Sequence, residues 1–110
     1  MNVKHIIEDK LLIFEIVEEL DHHTCDKIRK RTDYEIQRFM PKKVILDLKN
    51  VKFMDSAGIG FVLGRYKIVN SFGGTLEIIN VEKSLKKIFE MSGMLKIIPI
   101  VQDYSIKNII

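Results

Sequence analysis

The sequence has no tryptophan, one cysteine and two prolines among its 110 residues. A single cysteine, Cys25, rules out an internal disulfide and a Cys-x-x-Cys metal knuckle, and a free thiol suits a reducing compartment. Long apolar runs are missing too. The longest, Leu11 to Phe14 and Ile97 to Val101, fall far short of the ~20 residues a membrane-spanning helix needs. Lys4, Glu8, Asp9 and Lys10 interrupt the region where a signal peptide would be continuously apolar, so the protein is expected in the cytoplasm. Nor is there a charge excess of one sign: 18 Lys and Arg against 15 Asp and Glu leave +3, scattered along the chain. The densest basic segment, Lys27, Arg29, Lys30 and Arg31, has no interleaved aromatics on which bases could stack. It reads as a solvated helix face, and nucleic acid is not an expected partner.

What remains is an ordinary globular balance, 46% hydrophobic and 30% charged, in a chain of single-domain length covering residues 1–110. No internal repeat, linker or low-complexity segment interrupts it. Residues 3–7 and 11–17 are rich in branched side chains around a short polar Glu8-Asp9-Lys10, which predicts a hairpin. Asp21 to Thr24 then offers helix N-caps, and Ile28, Thr32, Ile36 and Phe39 recur at helical spacing up to Met40-Pro41. Val44 to Leu48 is apolar on both faces, as a central strand covered on both sides would be. A second helix follows from Ser56, stopped by Phe72-Gly73-Gly74. Leu76 to Val81 predicts a strand, Leu85 to Gly93 a third helix with a glycine stop, Lys96 to Val101 a last strand, and Tyr104 to Ile110 a short helix. The order ββαβαβαβα predicts an α/β fold, with a mixed, mostly parallel sheet and helices packed on it.

The most informative stretch is Lys52-Phe53-Met54-Asp55-Ser56-Ala57-Gly58-Ile59-Gly60, which joins the central strand to the second helix. In open α/β sheets, ligands meet the loops at the carboxyl ends of strands. A hydroxyl at Ser56 can cap the helix, worth ~1 kcal/mol, and a phosphate placed there would face the positive end of the helix dipole. Glycines at 58, 60 and 64 cost up to ~1 kcal/mol each inside a helix. Their compensation is either close packing on the sheet or close approach of another protein, and spacing does not separate the two. Three enzymatic readings are weaker. A serine hydrolase would need a Gly-x-Ser-x-Gly elbow, which is absent. Asp21-His22-His23 resembles a metallophosphoesterase signature, but the further Asp and His clusters of a two-metal site are missing. The glycines do not make a Gly-x-Gly-x-x-Gly fingerprint, and no Walker lysine follows.

Several segments together resemble the anti-sigma factor antagonists of the STAS domain family. These are Glu19-Leu20-Asp21-His22-His23-Thr24, Phe53 to Gly60, Leu63-Gly64-Arg65-Tyr66-Lys67, Gly73-Gly74 and Phe89-Glu90-Met91-Ser92-Gly93. The first, third and last are similar to the sporulation branch of that family. The resemblance implies a non-enzymatic, cofactor-free regulator. Its unphosphorylated form would bind an anti-sigma factor that is also an ATP-using serine kinase, freeing the sigma factor; a serine phosphatase would restore it. It further implies that Ser56 is the phosphoacceptor and that Asp21, Asp55, Ser56, Ala57, Gly58 and Ile59 form the partner surface. Asp55 would shape the turn, Asp21 supply a polar contact and Ile59 an apolar one. Two departures stand out: Ala57 occupies a position where sporulation proteins commonly carry a second serine, and Glu18 replaces a usual glycine. An antagonist serving a general-stress sigma factor, and a small metal-dependent phosphoesterase using Asp21, His22 and His23, are the alternatives.

Overall fold

A computed structural model describes residues 1–101. Strands β1 (Asn2–Ile6) and β2 (Leu11–Glu15) form the expected hairpin, followed by α1 (His22–Phe39), β3 (Lys43–Asp47), α2 (Ser56–Ser71), β4 (Thr75–Ile79), α3 (Lys83–Ser92) and β5 (Ile100–Val101). The sheet order is β1-β2-β3-β4-β5, antiparallel only between β1 and β2. β3 is therefore the central strand, as its run of apolar residues on both faces predicts.

Strand alternation divides the buried residues between the two faces. Leu12, Phe14, Val44, Leu46, Leu76 and Ile78 pack with Ile28 and Ile36 of α1, Val62 and Val69 of α2 and Phe89 of α3 in one core. Leu11, Ile13, Ile45 and Ile79 form a smaller buried cluster on the opposite face. Each such side chain removed from water contributes ~1.5–3 kcal/mol. In α1 the buried residues Cys25, Ile28, Thr32 and Ile36 recur every three or four positions, while Lys27, Arg29, Lys30 and Arg31 are exposed as a solvated face would be. Buried Thr32 satisfies its hydroxyl by donating to the Arg29 carbonyl at 2.8 Å.

The last strand differs from the sequence expectation. Residues Met94–Lys96 form a 3-10 turn, and the Ile97 and Ile98 N–H groups both bond back to the Met94 carbonyl at 2.9 Å. Their donors are spent in that turn, and Pro99 has none; the Pro99 carbonyl accepts the Ile78 N–H of β4 at 3.1 Å, and the paired strand starts at Ile100. The C-terminal helix anticipated over Tyr104 to Ile110 lies outside the described residues.

Parallel β2 and β3 both deliver the chain to one edge of the sheet, where their loops are stitched together. Leu20 and Met54 form an isolated parallel bridge. The Leu20 N–H donates to the Phe53 carbonyl at 3.1 Å, and the Asp55 N–H to the Leu20 carbonyl at 3.3 Å. The Lys52 N–H donates to Glu19 Oε1 at 3.2 Å. Glu18 accepts from the Val17 N–H at 3.1 Å and lies 3.0 Å from the Met1 amino group, fixing this strand end to the start of β1.

Candidate phosphorylation and partner-binding site

The helices that follow β2 and β3 are both capped by aspartate. Asp21 is the N-cap of α1, its Oδ1 accepting the Thr24 N–H at 2.9 Å. That backbone bond holds the Asp21 carboxyl below its ordinary pKa. Asp55 is the N-cap of α2, its Oδ1 accepting the Ala57 N–H at 2.8 Å. Its second oxygen, Oδ2, accepts the His22 N–H of α1 at 3.3 Å, so one carboxylate joins two helix starts.

Ser56 is the first residue of α2 rather than its cap, and it is exposed. The capping reading of Ser56 is thereby overturned, because the preceding aspartate reaches the Ala57 N–H first. No hydrogen bond engages the Ser56 hydroxyl among the described residues. It stands at the positive end of a 16-residue helix, where the dipole favours added negative charge.

The remaining members of the expected partner surface are placed unevenly. Ala57 and Ile59 are half-buried beside Ser56, whereas Gly58 is buried beneath the edge. A Cβ on Gly58 would collide with Met54 Cγ and lie 2.8 Å from the Leu20 carbonyl oxygen, so this glycine serves the stitched loops rather than the exposed surface. Phe53, half-exposed at 54% and adjacent to the motif, is an apolar feature of the edge that the sequence reading does not include in the partner surface. Its place beside Met54, buried at 3% exposure, is the signal: alternation turns one of the pair outward.

The edge is acidic. Cys25, buried beneath it, has its thiol pushed up to about 11, first by burial and then by the carboxylates of Asp55, Asp21 and Asp26. A thiol so shifted is no nucleophile near neutrality. His22 and His23 are exposed, with ring centroids 5.8 Å apart, and no group of three metal-ligating side chains occurs among the described residues. The arrangement offers a hydroxyl for modification and a surface for contact.

The model of the STAS domain family matches residues 2–105. The chain belongs to the STAS domain family. An anti-sigma F factor antagonist of Paenibacillus polymyxa is 44% identical over 90 residues, 82% of this chain and 77% of that protein. The anti-sigma-B factor antagonist of Bacillus subtilis is 40% identical over 53 residues, 48% of this chain and 49% of that one. Among solved structures, the Bacillus cell fate determinant SpoIIAA in its phosphorylated form superposes with a TM-score of 0.73 at 23% identity, covering 97% of this chain and 96% of that one. This STAS domain thus shares the fold of that protein. No helix in the described residues is long and apolar enough to cross a membrane.

Proposed function

We propose that this STAS domain is an anti-sigma factor antagonist of the sporulation sigma-F type, working by partner switching in the cytoplasm. Its unphosphorylated form binds the anti-sigma factor and frees the sigma factor. The anti-sigma factor, acting as a serine kinase, then modifies Ser56, and a serine phosphatase reverses the change. In the kinase step the Ser56 Oγ attacks the γ-phosphorus of ATP, the bond from that phosphorus to the bridging β-phosphate oxygen breaks, ADP leaves and the hydroxyl proton passes to a base supplied by the kinase.

The observation that carries this reading is an exposed Ser56 hydroxyl on the first turn of α2, left free because Asp55 does the capping. A phosphate there adds about −1.5 to −2 charges to an edge that already holds Asp21, Asp26 and Asp55. A partner fitted to a small neutral hydroxyl then meets uncompensated charge, which costs several kcal/mol across an interface. The α2 dipole accommodates the charge locally, so the domain changes its surface and keeps its fold.

Incubation with ATP and the anti-sigma F factor of the same organism, followed by intact mass spectrometry, tests the assignment. Wild type gains one phosphate; Ser56→Ala gains none and still binds. A phosphorylated Ser56→Ala protein would refute the site. The partial match to an anti-sigma-B factor antagonist supports a second reading, service to a general-stress sigma factor. Retention of one anti-sigma factor over the other in a pull-down decides between them.

A further inference from the structure

The outer edge of β4 is closed over only part of its length. Ile78 and Ile79 face Ile100 and Val101 of β5, whereas Thr75, Leu76 and Glu77 have β3 on one side and no described strand on the other. Successive residues of a strand turn their N–H and C=O groups to alternate neighbours. Thr75 donates to the Lys42 carbonyl, toward β3, and Ile78 to the Pro99 carbonyl, toward β5. Leu76 therefore turns both of its main-chain groups outward, at a level that β5 does not reach.

In the register of β5, a strand continued back from Ile100 would bring the Ile97 carbonyl to the Leu76 N–H and the N–H of residue 99 to the Leu76 carbonyl. Neither is available. Ile97 has a helical backbone, φ −113° and ψ −43°, and residue 99 is a proline without a donor. No hydrogen bond reaches the outward Leu76 groups among the described residues, although Leu76 is only 2% exposed. Buried main-chain groups without partners are rare and costly.

A cleft of about 540 Å³ opens over them, within the size range of ligand sites. Tyr66 and Asn70 of α2 wall it, and half-exposed Ile97 gives it an apolar rim. Its charged lining residues, Lys43 and Glu77, lie 3.4 Å from each other, so the cleft presents no net charge. One outward donor and one outward acceptor on a single strand residue match the main-chain amides of an added strand. The chain's own free edge strand, β1, carries Lys4 and His5, a poor match to a neutral cleft, so a second copy of this chain is disfavoured.

We propose that the Thr75–Glu77 edge binds a short, uncharged, extended peptide segment of another protein, which accepts from the Leu76 N–H and donates to the Leu76 carbonyl. β3 and β4 are parallel, and the Ser56 loop leaves the far end of β3, so this edge lies at the end of the sheet away from Ser56. It is independent of the function proposed above and can be filled while the Ser56 surface is engaged.

Titration of the isotope-labelled protein with N-acetyl-Thr-Val-Thr-amide, followed through its amide resonances, tests the proposal; the control is the same peptide methylated at every backbone nitrogen. The unmethylated peptide should shift the Leu76, Glu77 and Ile97 resonances saturably and slow exchange of the Leu76 amide proton. The methylated peptide keeps the side chains and loses the donors, and should bind about ten-fold more weakly. No saturable shift at these residues, or equal affinity for both peptides, overturns the site and leaves the Ser56 reading intact. A Leu76 shift that grows with protein concentration alone would make the edge a contact between copies and overturn the assignment to another protein.

Discussion

The Asp55 carboxylate accepts the His22 N–H of α1 while capping α2, so two helices that begin 34 residues apart share one anchor. Loss of an N-cap costs ~0.5–2 kcal/mol, and here the tie to the exposed His22 N–H is lost as well. Asp55→Ala is expected to lower the unfolding free energy by about 2 kcal/mol. Asp55→Asn keeps an oxygen for the Ala57 N–H and should lose less. Urea denaturation of the two variants checks the order; equal losses would show that the oxygen at Ala57 contributes nothing.

Asp21 gives a pH signature. The Thr24 N–H holds its folded pKa below the ordinary value of 3.8, so its contribution is present above that value and disappears as pH falls through the folded one. Wild type should exceed Asp21→Asn in melting temperature at neutral pH, and the gap should close on acidification below 3.8. A gap that stays constant into the acid range would show that the charge on Asp21 is immaterial.

Arg65 and Asp33 form a pair whose burial works against both charges, raising the Asp33 pKa and lowering that of Arg65. Removing one partner alone leaves the guanidinium buried and uncompensated. Asp33→Ala is expected to cost about 3–5 kcal/mol in denaturant titrations. Combining Asp33→Leu with Arg65→Met should recover most of that loss, and an additive double variant would contradict the pairing.

Gly58→Ala is expected to destabilise the domain by about 1–3 kcal/mol, because the new methyl group must displace Met54 and press on the Leu20 carbonyl. A melting temperature equal to that of wild type would mean that the two loops yield freely at their junction.

Much of this was legible before any coordinates. Val44 to Leu48 announced its central position because both faces of a strand covered on each side are apolar, and Met40-Pro41 and Gly73-Gly74 marked real helix ends. The start of the last strand is not legible in the sequence, because Ile97 and Ile98 look strand-like by composition, yet their donors are claimed by the Met94 carbonyl. Asp21 and the Asp55-Ser56 pair were visible as helix-start residues, but which of Asp55 and Ser56 capped α2 depended on backbone geometry that spacing does not encode. The contrast between Gly58, held small by its neighbours, and Gly60, where a Cβ would meet nothing within 4 Å, was equally invisible, since it depends on what faces each residue from elsewhere in the fold.

The Leu20–Met54 bridge and its flanking hydrogen bonds make the recognition edge an outgrowth of the sheet instead of a pair of loose loops. If the proposed function holds, a partner arriving there would find its target already in shape. Little ordering entropy would then be lost on association, which would favour productive encounters and leave discrimination between the two proposed chemical states of Ser56 to the rate of departure.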